Sequence, residues 1–356
     1  MNDAKKIHTA LLTWYSQEKR PLPWRKNKDP YRIWISEIML QQTRVEAVIP
    51  YFERFLSHFP TIQDLANASE DQVTNLWAGL GYYSRARNLR KAAQEIGERF
   101  AGKMPTQKEE LKSLPGIGDY TSSAIASIAF DQNHIALDGN LERVLARLLG
   151  EKKDPKKEGR PAIQKFGDAL ASFGQAGNIN QAIMDLSSST CLPKNPSCKK
   201  CPLTKFCEAK KKNLWAKIPF KKKKEASIEL KSHGWILIYD SEKKPKEVLI
   251  ARRKKGSWLA GMWDLPWWLE EEENHEAPPS WRRGKKIRTK RAITKYDLHF
   301  DLSLFFTNKK PSLESLSKQL HAAGSEFRWC TLEQLEGINL PRPSEKALAQ
   351  ALSALN

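Results

Sequence analysis

The spacing of apolar residues changes character once along this chain of 356 residues. From residue 8 to about residue 208 the apolar positions recur at helical intervals, as in Ile35, Ile38 and Met39, with Pro and Gly between the runs. This pattern predicts a half that is almost entirely helical.

Beyond residue 230 the pattern indicates strands. Gly234–Tyr239, Val248–Arg252 and Leu298–Phe306 each have the apolar run or the alternation that is typical of a strand. A closing helix is predicted over Ser344–Leu355 from its apolar spacing. Strands followed by a helix predict a second, mixed α/β domain in this half.

The two patterns together predict a multidomain protein. An all-α domain is expected over residues 1–209 and an α/β domain over residues 231–356. Between them, residues 210–230 are rich in lysine and too charged to form a core, so we predict a basic interdomain linker that follows a phosphate backbone.

Composition changes this picture in one respect. The chain has 60 Lys and Arg against 41 Asp and Glu, a formal net charge of +19, which favours a nucleic-acid partner over a small acidic substrate. A merely solvated basic surface is the alternative.

No apolar run approaches the ~18 residues that a membrane helix needs. We therefore expect a cytoplasmic, nucleoid-associated monomer without a membrane partner.

One turn in the helical half has the features of a phosphate site. Leu114, Gly116 and Gly118 fall between a helix that a Thr106-x-x-Glu109 capping box is predicted to start and the helical run Tyr120–Phe130. Two glycines at such a turn expose backbone N–H groups, and the positive end of the second helix favours an anion there. A helix–hairpin–helix contact with a DNA phosphate is the interpretation that we favour over an ordinary corner between helices.

Cysteine is concentrated in one short segment. Four of the five cysteines lie within 17 residues, whereas Cys330 is far away: Cys191, Cys198, Cys201 and Cys207. Four thiolates can converge on one centre, which in a reduced cell is zinc or an iron–sulfur cluster. Structural zinc sites usually contain two close Cys-x-x-Cys pairs, and this segment has one, so the spacing favours a cluster and leaves zinc as the alternative.

These motifs carry a resemblance to a known family. A short apolar strand is predicted just before Asp138, and a helix is predicted to begin near Leu141. The hairpin, the cysteine spacing and this Leu137-Asp138-Gly139-Asn140 segment resemble the endonuclease-III-like DNA glycosylases. Within that superfamily, Leu22–Arg25, Trp34–Thr43 and Gly79–Tyr83 are similar to the adenine DNA glycosylases of the MutY type. The resemblance is strong over about the first 215 residues and continues more weakly to the end, where that family has a MutT (Nudix)-like domain.

The resemblance implies a fold and a cofactor. It implies an all-α glycosylase domain with the helix–hairpin–helix at about residues 106–130 and a [4Fe-4S] loop at residues 191–207, followed by the α/β MutT-like domain. The four clustered cysteines would be the cluster ligands. No phosphohydrolase box of the Gly-x₅-Glu-x₇-Arg-Glu type is present in the second domain, so this domain is expected to bind rather than to hydrolyse nucleotides.

The chemistry of base removal requires two different carboxyl groups. Breaking an N-glycosidic bond at neutral pH calls for one protonated acid and one ionised carboxylate beside the developing sugar cation. Glu37 lies among apolar residues that can raise its pKa, and the resemblance implies that it donates the proton to adenine. It also implies that Asp138 stabilises the oxocarbenium ion and that Asn140 orients water and sugar. A surface or salt-bridge role for Glu37, and an N-cap for Asp138, are the structural alternatives.

One position indicates whether the strand is cut after the base has left. Superfamily members that also cut the strand have a lysine just past the hairpin glycines, where it forms a Schiff base with the sugar. Here that position is Tyr120, which cannot form an imine, so we predict a monofunctional glycosylase that leaves an abasic site. The resemblance implies that Tyr120 supports the acid–base pair by hydrogen bonding; packing between helices is the alternative.

A base must leave the stack before these groups reach it. The resemblance implies that Gln41, Gln42, Thr43 and Tyr82 contact the DNA at the lesion, the glutamines and the tyrosine as a wedge that fills the gap. For Tyr82 a place in the core is the alternative. Arg25 matches a pocket residue near the extruded adenine, although an arginine in a basic protein can equally serve a phosphate.

Selection of the correct adenine requires that the opposite base be recognised. The family uses a Phe-Ser-His loop of its second domain for 8-oxoguanine, and this chain has Ile293, Thr294 and Lys295 there. Thr294 keeps a hydroxyl for the oxidised base and Lys295 can contact a phosphate, but the aromatic ring and the His are absent. The resemblance implies double-stranded DNA with adenine opposite 8-oxoguanine or guanine as the substrate.

Two other functions fit part of the sequence. A bifunctional endonuclease-III-like pyrimidine glycosylase/lyase has the same fold, but Tyr120, Glu37 and the second domain disfavour it. A non-enzymatic iron–sulfur DNA-binding protein needs only the hairpin, the cluster and the positive charge.

Overall fold

The computed structural model describes residues 2–220, 226–241, 244–254, 256–271, 276–338 and 340–353. The chain forms two compact units, Met1–Lys223 and Lys224–Asn356. Part of the predicted linker, residues 221–225, lies outside the described residues. None of the helices in the described ranges combines the length and apolar character that a bilayer span requires.

The first unit is helical, as the periodicity predicted. Its twelve helices over the described residues are α1 Asn2–Glu18, α2 Pro30–Leu40, α3 Val45–His58, α4 Ile62–Asn67, α5 Glu70–Leu76, α6 Ser84–Phe100, α7 Lys108–Lys112, α8 Asp119–Phe130, α9 Gly139–Leu149, α10 Arg160–Ala171, α11 Ala176–Ser189 and α12 Glu208–Lys211.

Two separate hydrophobic cores hold this unit together. The first is formed by α2 to α8, with Trp34, Phe52 and Trp77 among its fully buried side chains. The second joins α1 with α9 to α12 around Leu11 and Leu145. Each buried side chain of this size contributes on the order of 1.5–3 kcal/mol to folding. The unit therefore has a seam along which two independently packed cores meet.

The predicted helix–hairpin–helix is formed by α7 and α8. Helix α8 confirms the predicted run, but the capping-box prediction is wrong: α7 begins at Lys108 with Gln107 as its N-cap, and no side chain caps it. Thr106 lies one residue too early for that role. Gly116 has φ +78°, and a Cβ on it would come 2.8 Å from Asn88 Cβ, so this turn requires glycine.

The second unit is built on one sheet. Its seven described strands are β1 Ile228–Ser241, β2 Lys244–Arg252, β3 Trp263–Asp264, β4 Trp267–Leu269, β5 Arg282–Ile293, β6 Tyr296–Thr307 and β7 Glu326–Thr331. Their order is β3-β2-β1-β6-β5, with β4 paired to β1 and β7 to β2. Its described helices are α13 Leu313–Gln319, α14 Leu332–Glu336 and α15 Arg342–Leu352.

The strands contain the three that the pattern predicted and extend beyond them. Strand β1 is parallel to β6, and β5 is antiparallel to β6 at the edge of the sheet. Helix α15 covers most of the closing helix predicted from the sequence. The α/β prediction for this half is therefore confirmed.

Candidate active site

The predicted catalytic residues surround one cavity of about 230 Å³ in the first unit. Glu37 comes from α2, Tyr120 from α8, and Asp138 and Asn140 from the start of α9. Arg25 lines the same cavity. The cavity lies where the two cores meet, because α2 and α8 belong to the first core and α9 to the second.

Glu37 is the buried acid of this cavity. Asp29 caps the start of α2 by accepting a hydrogen bond from the Tyr31 amide. Further along the same helix, Glu37 is only 6% exposed. Burial raises its pKa to about 7, against the lowering effects of the Tyr120 hydrogen bond and the Arg25 charge, and Asp138 raises it further. A substantial fraction of Glu37 therefore holds a proton at neutral pH.

Tyr120 is the direct partner of this acid. Its hydroxyl donates to Glu37 Oε2 at 2.9 Å and lies 3.9 Å from Met184 Sδ. Burial raises the Tyr120 pKa well above its ordinary value, and the nearby Glu37 charge raises it further. Tyr120 consequently stays protonated and keeps its role as the donor to Glu37.

Asp138 is fixed by the backbone of the helix that it starts. It is the N-cap of α9, and its Oδ1 accepts from the amides of Asn140 at 2.9 Å and Leu141 at 2.8 Å. Its Oδ2 accepts from Asn140 Nδ2 at 2.9 Å. The predicted N-cap geometry thus coexists with a place on the cavity wall. Hydrogen bonds from amides stabilise a charged carboxylate.

The strand expected before Asp138 is not formed. Residues 134–138 pair with no neighbouring strand. Instead, the Ala136 amide donates to Asn180 Oδ1 at 2.8 Å and the Ile135 amide to Asp168 Oδ1 at 3.3 Å. Side chains from α10 and α11 therefore satisfy the backbone donors that a strand partner would have satisfied. Helix α9 also begins two residues earlier than expected from the sequence, at Gly139.

Arg25 is held on the cavity wall by an ion pair that the sequence did not indicate. Its guanidinium donates to both oxygens of Asp185 on α11, at 2.7 and 3.1 Å. Arg20 binds the same carboxylate at 2.8 Å. Asp185 is almost completely buried, with a side chain 3% exposed, so both arginines are oriented before any ligand is bound.

The predicted wedge residues lie on two loops at the surface. Gln42, just after α2, and Tyr82 adopt left-handed backbone conformations with φ +59° and +50°. Tyr82 is 58% exposed, so the alternative that it belongs to the core is wrong. Gln41 Nε2 donates weakly to Thr121 Oγ1 at 3.4 Å, and Thr43 lines the cavity.

The four clustered cysteines line one small cavity, together with Arg147 and Trp215. Arg147 donates to Cys191 Sγ at 3.3 Å, and Cys207 Sγ donates to the Arg147 carbonyl at 3.4 Å. In the described part of the chain, no three His, Cys, Asp or Glu side chains gather closely enough to hold a single metal ion. The donor set that lines this cavity is therefore four thiols.

One face of α9 connects this cysteine segment with the catalytic cavity. Arg143 donates to Asn140 Oδ1, to the Cys191 carbonyl and to the Ser187 carbonyl, each at 3.0 Å. Arg147 follows one turn later on the same helix. The sequence analysis missed both arginines; their spacing from Asn140, three and seven residues, is the signal that could have found them.

The predicted lesion loop is the tight turn between β5 and β6. Ile293 pairs with Tyr296, so Thr294 and Lys295 form the two-residue turn between them. Both are exposed, and Thr294 has φ +54°. The Thr294 hydroxyl donates to the Ile293 carbonyl at 2.7 Å, and Lys295 Nζ lies 5.2 Å from the Tyr296 ring centroid.

Comparison with known proteins agrees with this geometry. Residues 35–167 match the HhH-GPD superfamily of base excision DNA repair proteins, and residues 234–350 match a NUDIX domain. The adenine DNA glycosylase of Buchnera aphidicola subsp. Schizaphis graminum is 35% identical over 348 residues, which cover 95% of this chain and 96% of that protein. The chain belongs to the adenine DNA glycosylase family. It is thus a DNA N-glycosylase of base excision repair.

Other comparisons match a smaller part of this adenine DNA glycosylase. The human adenine DNA glycosylase is 44% identical over 214 residues, 57% of this chain and 39% of that protein. The structure of a thermostable thymine-DNA glycosylase superposes with a TM-score of 0.55 at 27% identity, covering 59% of this chain and 98% of that one. A non-covalent endonuclease III–DNA complex, at a TM-score of 0.51 and 20% identity, shares the fold; it covers 60% of this chain and 97% of that one.

Proposed function

We propose that this adenine DNA glycosylase hydrolyses adenine from double-stranded DNA where it is mispaired with 8-oxoguanine or guanine. The observation that supports this most directly is the cavity itself. A buried carboxyl with a pKa of about 7 and a capped, amide-bound carboxylate line the same small space. These are the two groups that glycosidic cleavage requires at neutral pH.

The first step is cleavage of the glycosidic bond. Glu37 transfers its proton to a ring nitrogen of the extruded adenine while the electron pair of the C1′–N bond moves to the base. The sugar becomes an oxocarbenium ion, whose positive charge Asp138 stabilises or binds transiently. Because Asp138 is held by backbone amides, its position costs no reorganisation at the moment of reaction.

The second step is addition of water. The water oxygen bonds to C1′ and its proton returns to the Glu37 carboxylate, which restores the starting acid. Asn140 lies between Asp138 and Arg143, a position from which its amide orients the water and the sugar. The products are free adenine and an abasic site.

Strand cleavage is not part of the proposed reaction. Among the described residues that line the cavity there is no lysine, and Tyr120 is already engaged with Glu37. No amine is therefore available there to form a Schiff base with the sugar. This supports a monofunctional enzyme.

Duplex DNA is the proposed partner. The Gly116–Gly118 turn at the start of α8 offers backbone amides to a phosphate, Leu114 packs behind it as a buried residue, and the chain carries +19. In this proposal Tyr82 and Gln42 enter the stack, which the exposure of both supports, and Arg25 contacts the extruded base, which its position on the cavity wall supports. A monomer that acts on the nucleoid in the cytoplasm fits this partner.

A [4Fe-4S] cluster is the proposed cofactor, held by Cys191, Cys198, Cys201 and Cys207. Four thiols line one cavity, and their sequence contains a single Cys-x-x-Cys pair, whereas structural zinc sites usually contain two, so this donor set supports a cluster over zinc. When bound, the cluster supplies folding support and a fixed presentation of basic residues to DNA. An iron and acid-labile sulfide content of about four each per chain is the expected measurement, and zinc in their place would contradict this assignment.

The proposed domain limits agree with this division of roles. We propose residues 1–209 as the glycosylase domain, residues 210–230 as the basic linker and residues 231–356 as the lesion-recognition domain. The two ends of this linker pack into the units, since Ile218 is buried in the second core and residues 228–230 belong to β1. Thr294 and Lys295 lie at an exposed turn of the lesion-recognition domain. This second domain binds the opposite strand and does not hydrolyse nucleotides.

The test uses duplexes with adenine opposite 8-oxoguanine, guanine or thymine. Metal-loaded wild type should release adenine from the two purine mispairs only, and strand breaks should depend on alkali. Glu37→Gln should be inactive, whereas Glu142→Gln, an equally buried glutamate that binds Arg160 outside the cavity, should stay active. Pyrimidine release, covalent trapping by borohydride, or no base release at all from folded protein would contradict the proposal.

A further inference from the structure

One arginine connects the two loops that carry the wedge. Arg85 is the second residue of α6, and its Nη1 donates to the carbonyl oxygens of Ile38 at 2.8 Å, Met39 at 3.2 Å and Gln41 at 2.6 Å. These carbonyls belong to the last turn and the C-cap of α2, where helix geometry leaves oxygens without an internal partner. Arg85 therefore terminates the helix that carries Glu37.

The other end of the same guanidinium holds the second loop. Nη2 donates to the carbonyl oxygens of Leu80 and Gly81, each at 3.1 Å, and approaches Thr43 Oγ1 at 3.5 Å. The guanidinium carbon also lies 5.6 Å from the centroid of the Tyr82 ring. One planar, multi-donor group thus joins two loops that are distant in the sequence, a geometry that a lysine cannot reproduce.

The positive charge of Arg85 is favourable at the carboxyl end of α2. Burial lowers its pKa to about 10, so the group remains positive at neutral pH although it is partly desolvated. A positive charge at the carboxyl end of α2 complements the helix dipole. The contacts are therefore charge-assisted and directional, which fixes the loops more firmly than neutral hydrogen bonds would.

We infer that Arg85 is a positioning residue that sets the wedge before DNA binds. This inference rests on the proposed function, in which Gln42 and Tyr82 replace the extruded adenine in the stack. Both residues have left-handed backbones, a conformation that persists only where neighbouring structure imposes it. Arg85 binds the residue preceding each of them, Gln41 and Gly81. It accordingly acts on base extrusion and not on the chemistry of bond cleavage.

The test measures extrusion separately from cleavage. In a Glu37→Gln background, which blocks bond cleavage, 2-aminopurine is placed beside the target adenine of an adenine–guanine duplex, and its fluorescence reports unstacking at saturating protein. Arg85→Lys and Arg85→Gln are compared with Arg90→Lys. Arg90 is the matched control, a partly buried arginine of the same helix that donates to the Ala68 carbonyl at 2.5 Å, away from both loops.

Arg85→Lys should reduce the fluorescence rise while the protein still binds the duplex and melts near the Arg90→Lys control. With Glu37 restored, adenine release from the mispair at saturating protein should slow by about 10- to 100-fold for both Arg85 variants, the effect of losing two or more hydrogen bonds of a charged group. The Arg90→Lys variant should match wild type in both measurements.

The outcomes distinguish the positioning role from the proposed function. A full fluorescence rise with Arg85→Lys and Arg85→Gln would overturn the positioning role and leave the proposed function intact. No rise with Glu37→Gln alone, together with no adenine release by wild type, would overturn the proposed function and the wedge with it. Slower release with an unchanged rise would place Arg85 in the chemical step, which also contradicts the inference.

Discussion

Replacing Tyr120 by Phe should shift the pH dependence of adenine release to higher pH. The reaction needs protonated Glu37, so the rate should fall on the alkaline side as pH rises through the Glu37 pKa, at about 7. The Tyr120 hydroxyl donates to Glu37 Oε2 at 2.9 Å and favours the ionised form. Without this donor the carboxylate is less stable, so the pKa must rise.

The magnitude is set by the single hydrogen bond that is removed. A hydrogen bond to a charged acceptor contributes about 1.5–3 kcal/mol, and one to a neutral acceptor about 0.5–1.5 kcal/mol. The difference, on the order of 1–1.5 kcal/mol, corresponds to about one pKa unit at about 1.36 kcal/mol per unit. The midpoint of the alkaline limb should therefore move from about 7 in the wild type to roughly 8 in the variant.

The assay is single-turnover adenine release from one mispaired duplex, measured across the neutral and alkaline range. Tyr31→Phe is the control, because Tyr31 lies on α2, the helix of Glu37, but its hydroxyl donates to the Phe59 carbonyl at 2.8 Å. This control should keep the wild-type midpoint. The maximal rate of Tyr120→Phe can differ from that of wild type without affecting the prediction, which concerns the midpoint alone.

An unchanged midpoint in Tyr120→Phe, or one displaced to lower pH, would refute this reasoning. It would show that the limb reports a group other than Glu37, or that burial alone sets the pKa of Glu37. An equal shift in Tyr31→Phe would show that the change arises from a general loosening of α2.

Three further predictions concern stability and binding. Because the Glu37 pKa is raised from 4.5 to about 7, the free energy of unfolding of the wild type should fall as pH rises from 4.5 to about 7. Over this range Glu37→Gln should gain up to about 3 kcal/mol in free energy of unfolding relative to wild type, seen as a rising difference in melting temperature. An advantage that is independent of pH would contradict this. Asp138→Asn should keep the helix cap and the melting temperature but slow adenine release by ~100-fold or more. Asp138→Ala should slow adenine release in the same way and also lose about 1 kcal/mol of stability, because it removes the cap. An active Asp138→Asn would exclude a requirement for charge at this position. Gly116→Ala should weaken duplex binding and lower stability, since its Cβ would meet Asn88. Gly97→Ala, with open space around it, should be neutral or stabilising by about 0.5–1 kcal/mol. Equal effects of the two changes in binding titrations and in thermal melts would contradict this prediction.

Helices and strands with a regular apolar pattern could be predicted from the sequence. Helix α8 and the strand around residues 298–306 follow from apolar periodicity, because their residues bury one face against a neighbour. The prediction of a Thr106 capping box was wrong, because α7 begins at Lys108. A four-residue motif does not by itself determine where a helix starts. The prediction of a strand before Asp138 was wrong, because the apolar character of a segment does not show whether a partner strand is present.

Long-range partners were the part that the sequence could not indicate. Asp185 orients Arg25 from a position 160 residues away, and no local pattern reveals such a pair. The carbonyl-binding role of Arg85 depends on two loops that come together only in the folded chain. Family resemblance supplied candidate residues for the cavity, whereas the groups that hold those residues in place became visible only with the fold.

The seam between the two cores of the helical unit has a mechanical consequence. Glu37 is attached to one core and Asp138 to the other, so the spacing between acid and carboxylate depends on how the two cores sit against each other. In the proposed complex, a duplex that crosses the seam would contact both cores at once, through Tyr82 on one side and the start of α9 on the other. Binding energy from distant phosphates can then be used to set that spacing. Free nucleosides, which cannot bridge the seam, should therefore be poor substrates, even though the free protein already brings Glu37 and Asp138 to one cavity.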